Sequence, residues 1–232
     1  MNKKEEKKWM IFWSEFAEEA YEYVEKLPDK KRLLNKAAAI LQPYNPILDA
    51  GCGTGLLAID LAKQGKMVYG VDYSKNMLNK AKEKIAMIPE IKNRVFLSQQ
   101  NVTNLNFKDS YFEAVVSINV LVNVIDPCAA INETYRVLKK KGIYLVSAPF
   151  GGIKPDISLL QKVKEDCERE GYDFEKFKLA VEYNKRFFAE GGAIFTPSRK
   201  ELEEILEKRG FKISLSEEIY YSGNYFITGQ KI

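Results

Sequence analysis

The sequence predicts an α/β fold in which a doubly wound, mostly parallel sheet carries helices on both faces. Two observations predict it. Short apolar runs alternate with helical patterns from residue 46 to residue 147, and the first apolar run leads into a glycine-rich turn. Strands that alternate with helices in this way build parallel sheets, because each crossover helix covers one face. The composition of the 232-residue chain, 46% hydrophobic and 29% charged, is that of one globular domain.

The elements follow in order along the chain. Residues from about Glu5 to Leu41 predict one or two helices, broken near Leu27-Pro28-Asp29, where proline favours a helix start. In the central segment the sequence pattern predicts strands at 46–50, 67–71, 94–98, 112–117 and 142–147, and helices at 56–64, 75–87 and 127–138. In the C-terminal segment it predicts a helix at 198–209 and strands at 211–219 and 223–230. We therefore divide the single domain into a helical arm or lid at 1–41, a core at 42–150, a helical cap insertion at 151–193 and a closing helix and hairpin at 194–232.

The strongest local signal is the segment from Ile47 to Gly55, ILDAGCGTG, followed by the apolar run from Val68 to Asp72. Glycine tolerates positive φ and has no Cβ, so the backbone can turn sharply and lie against a ligand, and the next helix directs its unpaired N–H groups there. A carboxylate at the end of the second strand can accept hydrogen bonds from both hydroxyls of a ribose. The pattern predicts a nucleotide-binding β-α-β unit.

The glycine spacing does not select one cofactor. Gly53, Gly55 and Ala58 also fit the loose dinucleotide pattern G-x-G-x-x-A, which leaves an NAD(P)-dependent oxidoreductase open. Asp49 favours a different ligand, because a carboxylate just before the loop repels a pyrophosphate and suits an ammonium or sulfonium charge.

Five segments in order resemble the motifs of class I S-adenosylmethionine-dependent methyltransferases, in particular the small-molecule enzymes of methyltransferase type 11/25. They are 48–55, 70–78, 101–107, 112–119 and 136–145. Two positions depart from the usual pattern, with Asn101 and Glu113 where the family more often has Asp. The resemblance implies a Rossmann-like, mostly parallel seven-stranded sheet with the last strand antiparallel. It also implies S-adenosyl-L-methionine as cofactor, S-adenosyl-L-homocysteine as product, and in-line transfer of the methyl group to an N, O, S or C atom.

The same resemblance implies a set of cofactor-binding residues. Asn101 would lie beside the adenine amine, Tyr73 and Met77 on the ring faces, and Tyr21 near the methionine end. The full set is Trp13, Tyr21, Asp49, Gly51, Gly53, Gly55, Asp72, Tyr73, Met77, Asn101, Val102, Ile118 and Asn119.

The arm and the cap each allow two interpretations. Trp13, Ala17 and Tyr21 share one helix face by their spacing, and that face either packs on the core or closes over the cofactor. The aromatic residues of the cap either form a small core of their own or, with Trp9 and Trp13, wall an apolar acceptor pocket. Those cap residues are Tyr172, Phe174, Phe177, Tyr183, Phe187 and Phe188.

Composition limits the partners and the chemistry. The net charge of +4 is spread along the chain, and the segment after Ser117 lacks the prolines of amino-group methyltransferases, so we expect a small-molecule acceptor and no nucleic acid. Three scattered cysteines predict no metal, and the absence of a long apolar run predicts a cytoplasmic protein, monomer or homodimer. The chain has no histidine, so no catalytic base is identified. A non-catalytic S-adenosylmethionine-binding regulator stays an alternative.

Overall fold

The computed structural model describes residues 8, 11–13, 15–16, 18–19, 21–149, 157–175, 178–179, 186, 189–190, 195–219 and 224–232. Ala17 and Trp9 of the arm, and Phe177, Tyr183, Phe187 and Phe188 of the cap, lie outside these residues.

The strands form a single seven-stranded sheet with the order β3-β2-β1-β4-β5-β7-β6. Strands β1 to β5 pair in parallel, and β7 pairs antiparallel with both β5 and β6. The predicted doubly wound sheet with an antiparallel last strand is thereby confirmed. The strands are β1 (Ile47–Ala50), β2 (Val68–Asp72), β3 (Val95–Gln99), β4 (Phe112–Ile118), β5 (Leu138–Pro149), β6 (Phe211–Ile219) and β7 (Asn224–Lys231).

Seven helices lie within the described residues, and their ends follow local capping chemistry. The side chain of Ser74 accepts from the Met77 N–H, and Ser198 and Glu201 cap each other's backbone N–H groups. The helices are α1 (Tyr21–Lys26), α2 (Pro28–Leu41), α3 (Leu56–Lys63), α4 (Lys75–Ala86), α5 (Pro127–Val137), α6 (Ile157–Glu170) and α7 (Arg199–Lys208).

Two apolar clusters cover the two faces of the sheet. Helices α2 and α3 pack on one face, where Leu33 and Leu61 are fully buried. Helices α5 and α7 pack on the other face, where Phe112 and Tyr144 lie in the cluster. Parallel strands buried on both faces are nearly continuous apolar runs, as the sequence of β1 and β4 shows. Because helices cover both faces, a ligand site is expected at the ends of the strands.

The predicted start of β5 at residue 142 is wrong by four residues, because the strand begins at Leu138. Leu138 pairs with Phe112 and Ile143 pairs with Ala114, so β5 carries extra residues in a bulge between these two pairs. Lys141, in the bulge, has a φ of 65°. The bulge keeps Lys139, Lys140 and Lys141 within the strand.

The described part of the cap packs on the arm. Tyr172 and Phe174 contact a small cluster of Leu27, Val163 and Cys167. Lys31 Nζ donates to the Tyr172 hydroxyl at 2.6 Å. These two aromatic residues therefore belong to a core shared by α2 and α6.

Candidate functional site

The glycine turn lies where the strand order reverses, between β1 and its neighbours β2 and β4. In open α/β sheets the carboxyl ends of the strands at such a point form the ligand crevice. Gly51, Gly53 and Gly55 have φ values of 83°, 55° and 78°. The N–H groups of Gly51 and Cys52 both donate to the Val71 carbonyl, at 2.7 and 2.9 Å, which fixes the turn against β2.

The turn leaves no room for side chains at its glycines. A Cβ on Gly51 would lie 2.2 Å from Val120 Cγ2, and one on Gly53 would lie 3.2 Å from the Tyr21 hydroxyl oxygen. Helix α3 begins after Gly55, which has no side chain to cap its first-turn N–H groups. A backbone cradle without side chains, ending at an uncapped helix start, fits the amino acid end of an adenosylmethionine-type ligand.

Asp72 connects the turn to the end of β2. Its Oδ2 accepts from the Gly53 N–H and its Oδ1 from the Ser74 N–H, both at 2.8 Å. Burial raises the pKa of Asp72, and these backbone hydrogen bonds oppose the rise. Each carboxylate oxygen keeps a further lone pair, so Asp72 can still accept hydrogen bonds from a ribose.

Asp49 is a second buried carboxylate at the same point, with 4% of its surface exposed. Burial raises the pKa of Asp49 to about 7, and the charge of Asp72 adds to the rise while Lys30 opposes it. Lys30, on α2, is itself buried, and burial lowers its pKa to about 8. A ligand cation at this point would compensate the buried negative charge.

A hydrogen-bonded cluster joins the arm to the turn, and we call its three residues, Glu25, Thr54 and Lys84, the arm clasp. Lys84 Nζ lies 2.8 and 2.6 Å from the two Glu25 carboxylate oxygens and 3.0 Å from Thr54 Oγ1. The Thr54 hydroxyl donates to Glu25. Burial raises the pKa of Glu25, and Lys84 opposes it. No local pattern predicts the clasp, since its members lie 29 to 59 residues apart along the chain.

The predicted adenine residues follow the carboxyl ends of β2 and β3, which are neighbouring strands of the sheet. Tyr73 is 46% exposed, whereas Met77 is only 4% exposed in the first turn of α4. Asn101 Oδ1 accepts from the Thr103 N–H at 3.0 Å, which forms a local turn. Val102 packs against the second apolar cluster.

Among the described residues of the arm, Tyr21 contacts the turn directly. The Tyr21 hydroxyl lies over Gly53, as the contact above shows. Trp13 contacts the rings of Phe12 and Phe16 with centroids 5.3 and 5.5 Å apart, and Phe16 contacts Tyr21 at 5.5 Å. Trp13 is therefore connected to the site through Phe16 and Tyr21.

A polar cluster follows β4 on the other side of the turn, after Ile118, which packs on the first apolar cluster. The Asn119 N–H donates to the Ser147 carbonyl and Asn123 Nδ2 donates to the Asn119 carbonyl, both at 2.8 Å. Asn224 Nδ2 donates to Asn119 Oδ1 and, at 3.1 Å, to Ser147 Oγ. Ser147 and Asn224 were not predicted, because 77 residues separate them along the chain.

The part of the chain that the structure describes contains neither a cluster of metal-ligating side chains nor a membrane-spanning helix. No three histidine, cysteine, aspartate or glutamate side chains there are arranged to hold a metal ion. No helix among the same residues has both the length and the apolar composition to cross a bilayer.

The chain is similar in sequence to known methyltransferases. Residues 48–146 match a family described as a methyltransferase domain. "Putative methyltransferase YqeM" of Bacillus subtilis is 31% identical over 193 residues, which cover 78% of this chain and 73% of the relative. A demethylmenaquinone methyltransferase of Lactiplantibacillus plantarum is 40% identical over 96 residues, only 40% of each chain.

The fold has solved counterparts. A magnesium protoporphyrin IX methyltransferase from Synechocystis, crystallised with S-adenosylhomocysteine, superposes with a TM-score of 0.63 at 19% identity. The superposition covers 88% of this chain and 84% of that one. At this identity the likeness shows the fold alone.

Proposed function

This chain belongs to the class I S-adenosylmethionine-dependent methyltransferases, and we propose that its acceptor is a small aromatic molecule that carries ring oxygens, such as a hydroquinone. One observation carries the proposal. The partly exposed Val120 lies directly against Gly51, and the buried Leu121, Val122 and Val124 support it from the core. A flat apolar ring fits such a wall beside the cofactor turn.

Two relatives support a ring that bears oxygen. One is the demethylmenaquinone methyltransferase described above, and another is a 2-phytyl-1,4-naphthoquinone methyltransferase of Trichormus variabilis, 37% identical over 102 residues. These matches cover less than half of either relative, so they support the class of acceptor and no particular compound.

We assign the cofactor to the residues that the sequence predicted. In this proposal Asp72 holds the ribose, Asp49 faces the cationic end, and Tyr21 covers the turn. The other proposed contacts are Trp13, Gly51, Gly53, Gly55, Tyr73, Met77, Asn101, Val102, Ile118 and Asn119.

The cofactor supplies a methyl group already activated by its sulfonium charge. The residues of this chain have to hold the acceptor in line with that group and exclude water, and alignment alone accounts for a large part of such a barrier. The bond from sulfur to the methyl carbon breaks, a bond from that carbon to a ring carbon or oxygen forms, and the acceptor proton passes to solvent. With no histidine in the chain, ionisation of the ring hydroxyl depends on hydrogen bonds that stabilise its ionised form.

Methyl-labelled S-adenosylmethionine tests the proposal with three acceptors: 1,4-naphthohydroquinone, 1-naphthylamine and thiophenol. We expect label in the hydroquinone and little in the other two. Asp72→Ala serves as the control that abolishes the signal. If S-adenosylhomocysteine raises the melting temperature but no acceptor is labelled, the proposed acceptor class is wrong.

A further inference from the structure

In Asn119, every polar group except the side-chain Nδ2 has a hydrogen-bond partner among the described residues. Its N–H, its carbonyl and its Oδ1 each have a hydrogen-bond partner, on β5, on the turn after β4 and on β7. Among the described residues, none accepts a hydrogen bond from its Nδ2. Asn119 also has a φ of 60°, a left-handed conformation that asparagine adopts more readily than most residues other than glycine.

The location of this spare donor points to the acceptor. Asn119 follows β4, which is the neighbour of β1 at the point where the strand order reverses. The next residue, Val120, lies against Gly51 in the cofactor turn. Asn119 is partly exposed, while Asn224 behind it is only 2% exposed. The donor therefore lies at the crevice, and its support is buried.

We propose that Asn119 Nδ2 donates a hydrogen bond to a ring oxygen of the acceptor, and that Asn224 is a positioning residue that fixes the amide of Asn119 with its donor toward the crevice. This inference rests on the proposed function. A neutral donor aimed at a ring oxygen stabilises its ionised form, the more nucleophilic one, without a general base.

Asn224 sets which way the amide of Asn119 faces. Because Asn224 Nδ2 donates to both Asn119 Oδ1 and Ser147 Oγ, the Oδ1 of Asn119 is held toward β7. An aspartate at position 224 would offer only acceptors, so the amide of Asn119 would turn over and present its oxygen to the crevice. A lone pair would then face the lone pair of the ring oxygen.

Three variants test the pair with 1,4-naphthohydroquinone and methyl-labelled S-adenosylmethionine. Asn119→Gly keeps the left-handed backbone and removes the amide, Asn119→Asp replaces the donor with a charge, and Asn224→Asp inverts the amide. Asn132→Ala, at the Arg209 contact on the surface of α5, is the matched control. Affinity for S-adenosylhomocysteine by calorimetry and melting temperature are measured for each.

We expect Asn224→Asp and Asn132→Ala to bind S-adenosylhomocysteine within about twofold of the unmodified enzyme and Asn132→Ala to keep its activity. Because Asn119 is itself a proposed cofactor contact, kcat/KM of the two Asn119 variants is compared at saturating S-adenosylmethionine. Asn119→Gly should lower kcat/KM by about tenfold to a hundredfold and move the pH profile to higher pH, since the ring hydroxyl loses a hydrogen bond to its ionised form. Asn119→Asp and Asn224→Asp should lower kcat/KM further than Asn119→Gly does.

Two results would overturn the inference, and only the second would also overturn the proposed acceptor class. If the unmodified enzyme methylates the hydroquinone and Asn119→Gly and Asn224→Asp match it in kcat/KM and pH profile, Asn119 does not bind the acceptor, and the proposed function stands. If the unmodified enzyme binds S-adenosylhomocysteine but neither binds nor methylates the hydroquinone, the proposed acceptor class fails and the inference fails with it.

Discussion

Lys84 Nζ lies 2.6 Å from Glu25 Oε2, and this ion pair joins the arm to helix α4 beside the glycine turn. The Glu25 side chain is 11% exposed and the Lys84 side chain 34% exposed, so the pair is only partly screened by solvent. Because Thr54 is part of the same clasp, α1 is hydrogen-bonded to the residue between Gly53 and Gly55.

Removal of either member of the ion pair should have unequal effects. Lys84→Met leaves the buried Glu25 carboxylate without its cation, so we expect it to lower the free energy of unfolding by about 2 kcal/mol, more than Glu25→Gln, which leaves a solvent-accessible lysine. Chemical denaturation measures both, with exposed Lys82→Met on the same helix as control. An equal loss in the two variants would show that the pair does not act through desolvation.

Asp72 holds both the turn and, in our proposal, the ribose. Asp72→Asn can keep only one of its two backbone hydrogen bonds as an acceptor, because the amide nitrogen would face an N–H donor. We expect affinity for S-adenosylhomocysteine to fall by at least 2 kcal/mol in Asp72→Asn and further in Asp72→Ala. Titration calorimetry that gives unchanged affinity in both variants would remove Asp72 from the site.

Gly53 and Tyr21 should be coupled energetically. Gly53→Ala costs about 1–2 kcal/mol for its left-handed conformation and also displaces the Tyr21 hydroxyl. Tyr21→Phe removes the oxygen nearest to the added methyl group, so the double variant should recover part of the lost stability and of the lost cofactor affinity. Strict additivity in a double-mutant cycle would mean that Tyr21 does not lie over the turn.

Cofactor affinity should depend on pH through Asp49. Burial raises the pKa of this carboxyl to about 7 in the free protein, and a cationic ligand favours the ionised form and lowers that pKa. Affinity for S-adenosylhomocysteine should therefore rise with pH, by up to roughly tenfold per unit, and level off above the free-state pKa. The free protein should lose stability as pH rises through this pKa, since its folded state holds the extra proton. Asp49→Asn should flatten both profiles.

Asn101 should tolerate a charge but not an apolar replacement. Its Oδ1 already accepts from the Thr103 N–H, and a carboxylate in Asn101→Asp can accept that bond and one from an adenine amine. Asn101→Leu loses both, so we expect weaker binding of S-adenosylhomocysteine by about 1 kcal/mol or more. Thr103→Ala, which keeps the N–H, is the control. Equal affinity across Asp, Asn and Leu would exclude Asn101 as an adenine contact.

The sequence patterns predicted the features that depend on residues close together along the chain. The glycine turn, the carboxylate of Asp72 and the break before Pro28 all depend on near neighbours, and the structure has each where the sequence placed it. The arm clasp and the contact between Asn119 and Asn224 depend on chain segments brought together only by the sheet order, and no spacing rule reports them. The bulge in β5 was missed because lysines and a glycine before a strand also read as a turn.

The position of β7 has a consequence for the order of events during synthesis. β7 pairs with β5, yet 82 residues separate Pro149 from Lys231. At typical rates of elongation, about 4–16 s pass between the synthesis of the two strands, and through that interval β5 presents an unpaired edge. The cofactor turn is already complete, but Asn224 has not yet been made. A nascent chain would thus acquire the residues of its proposed cofactor site before those of its proposed acceptor site, with an aggregation-prone edge exposed in between.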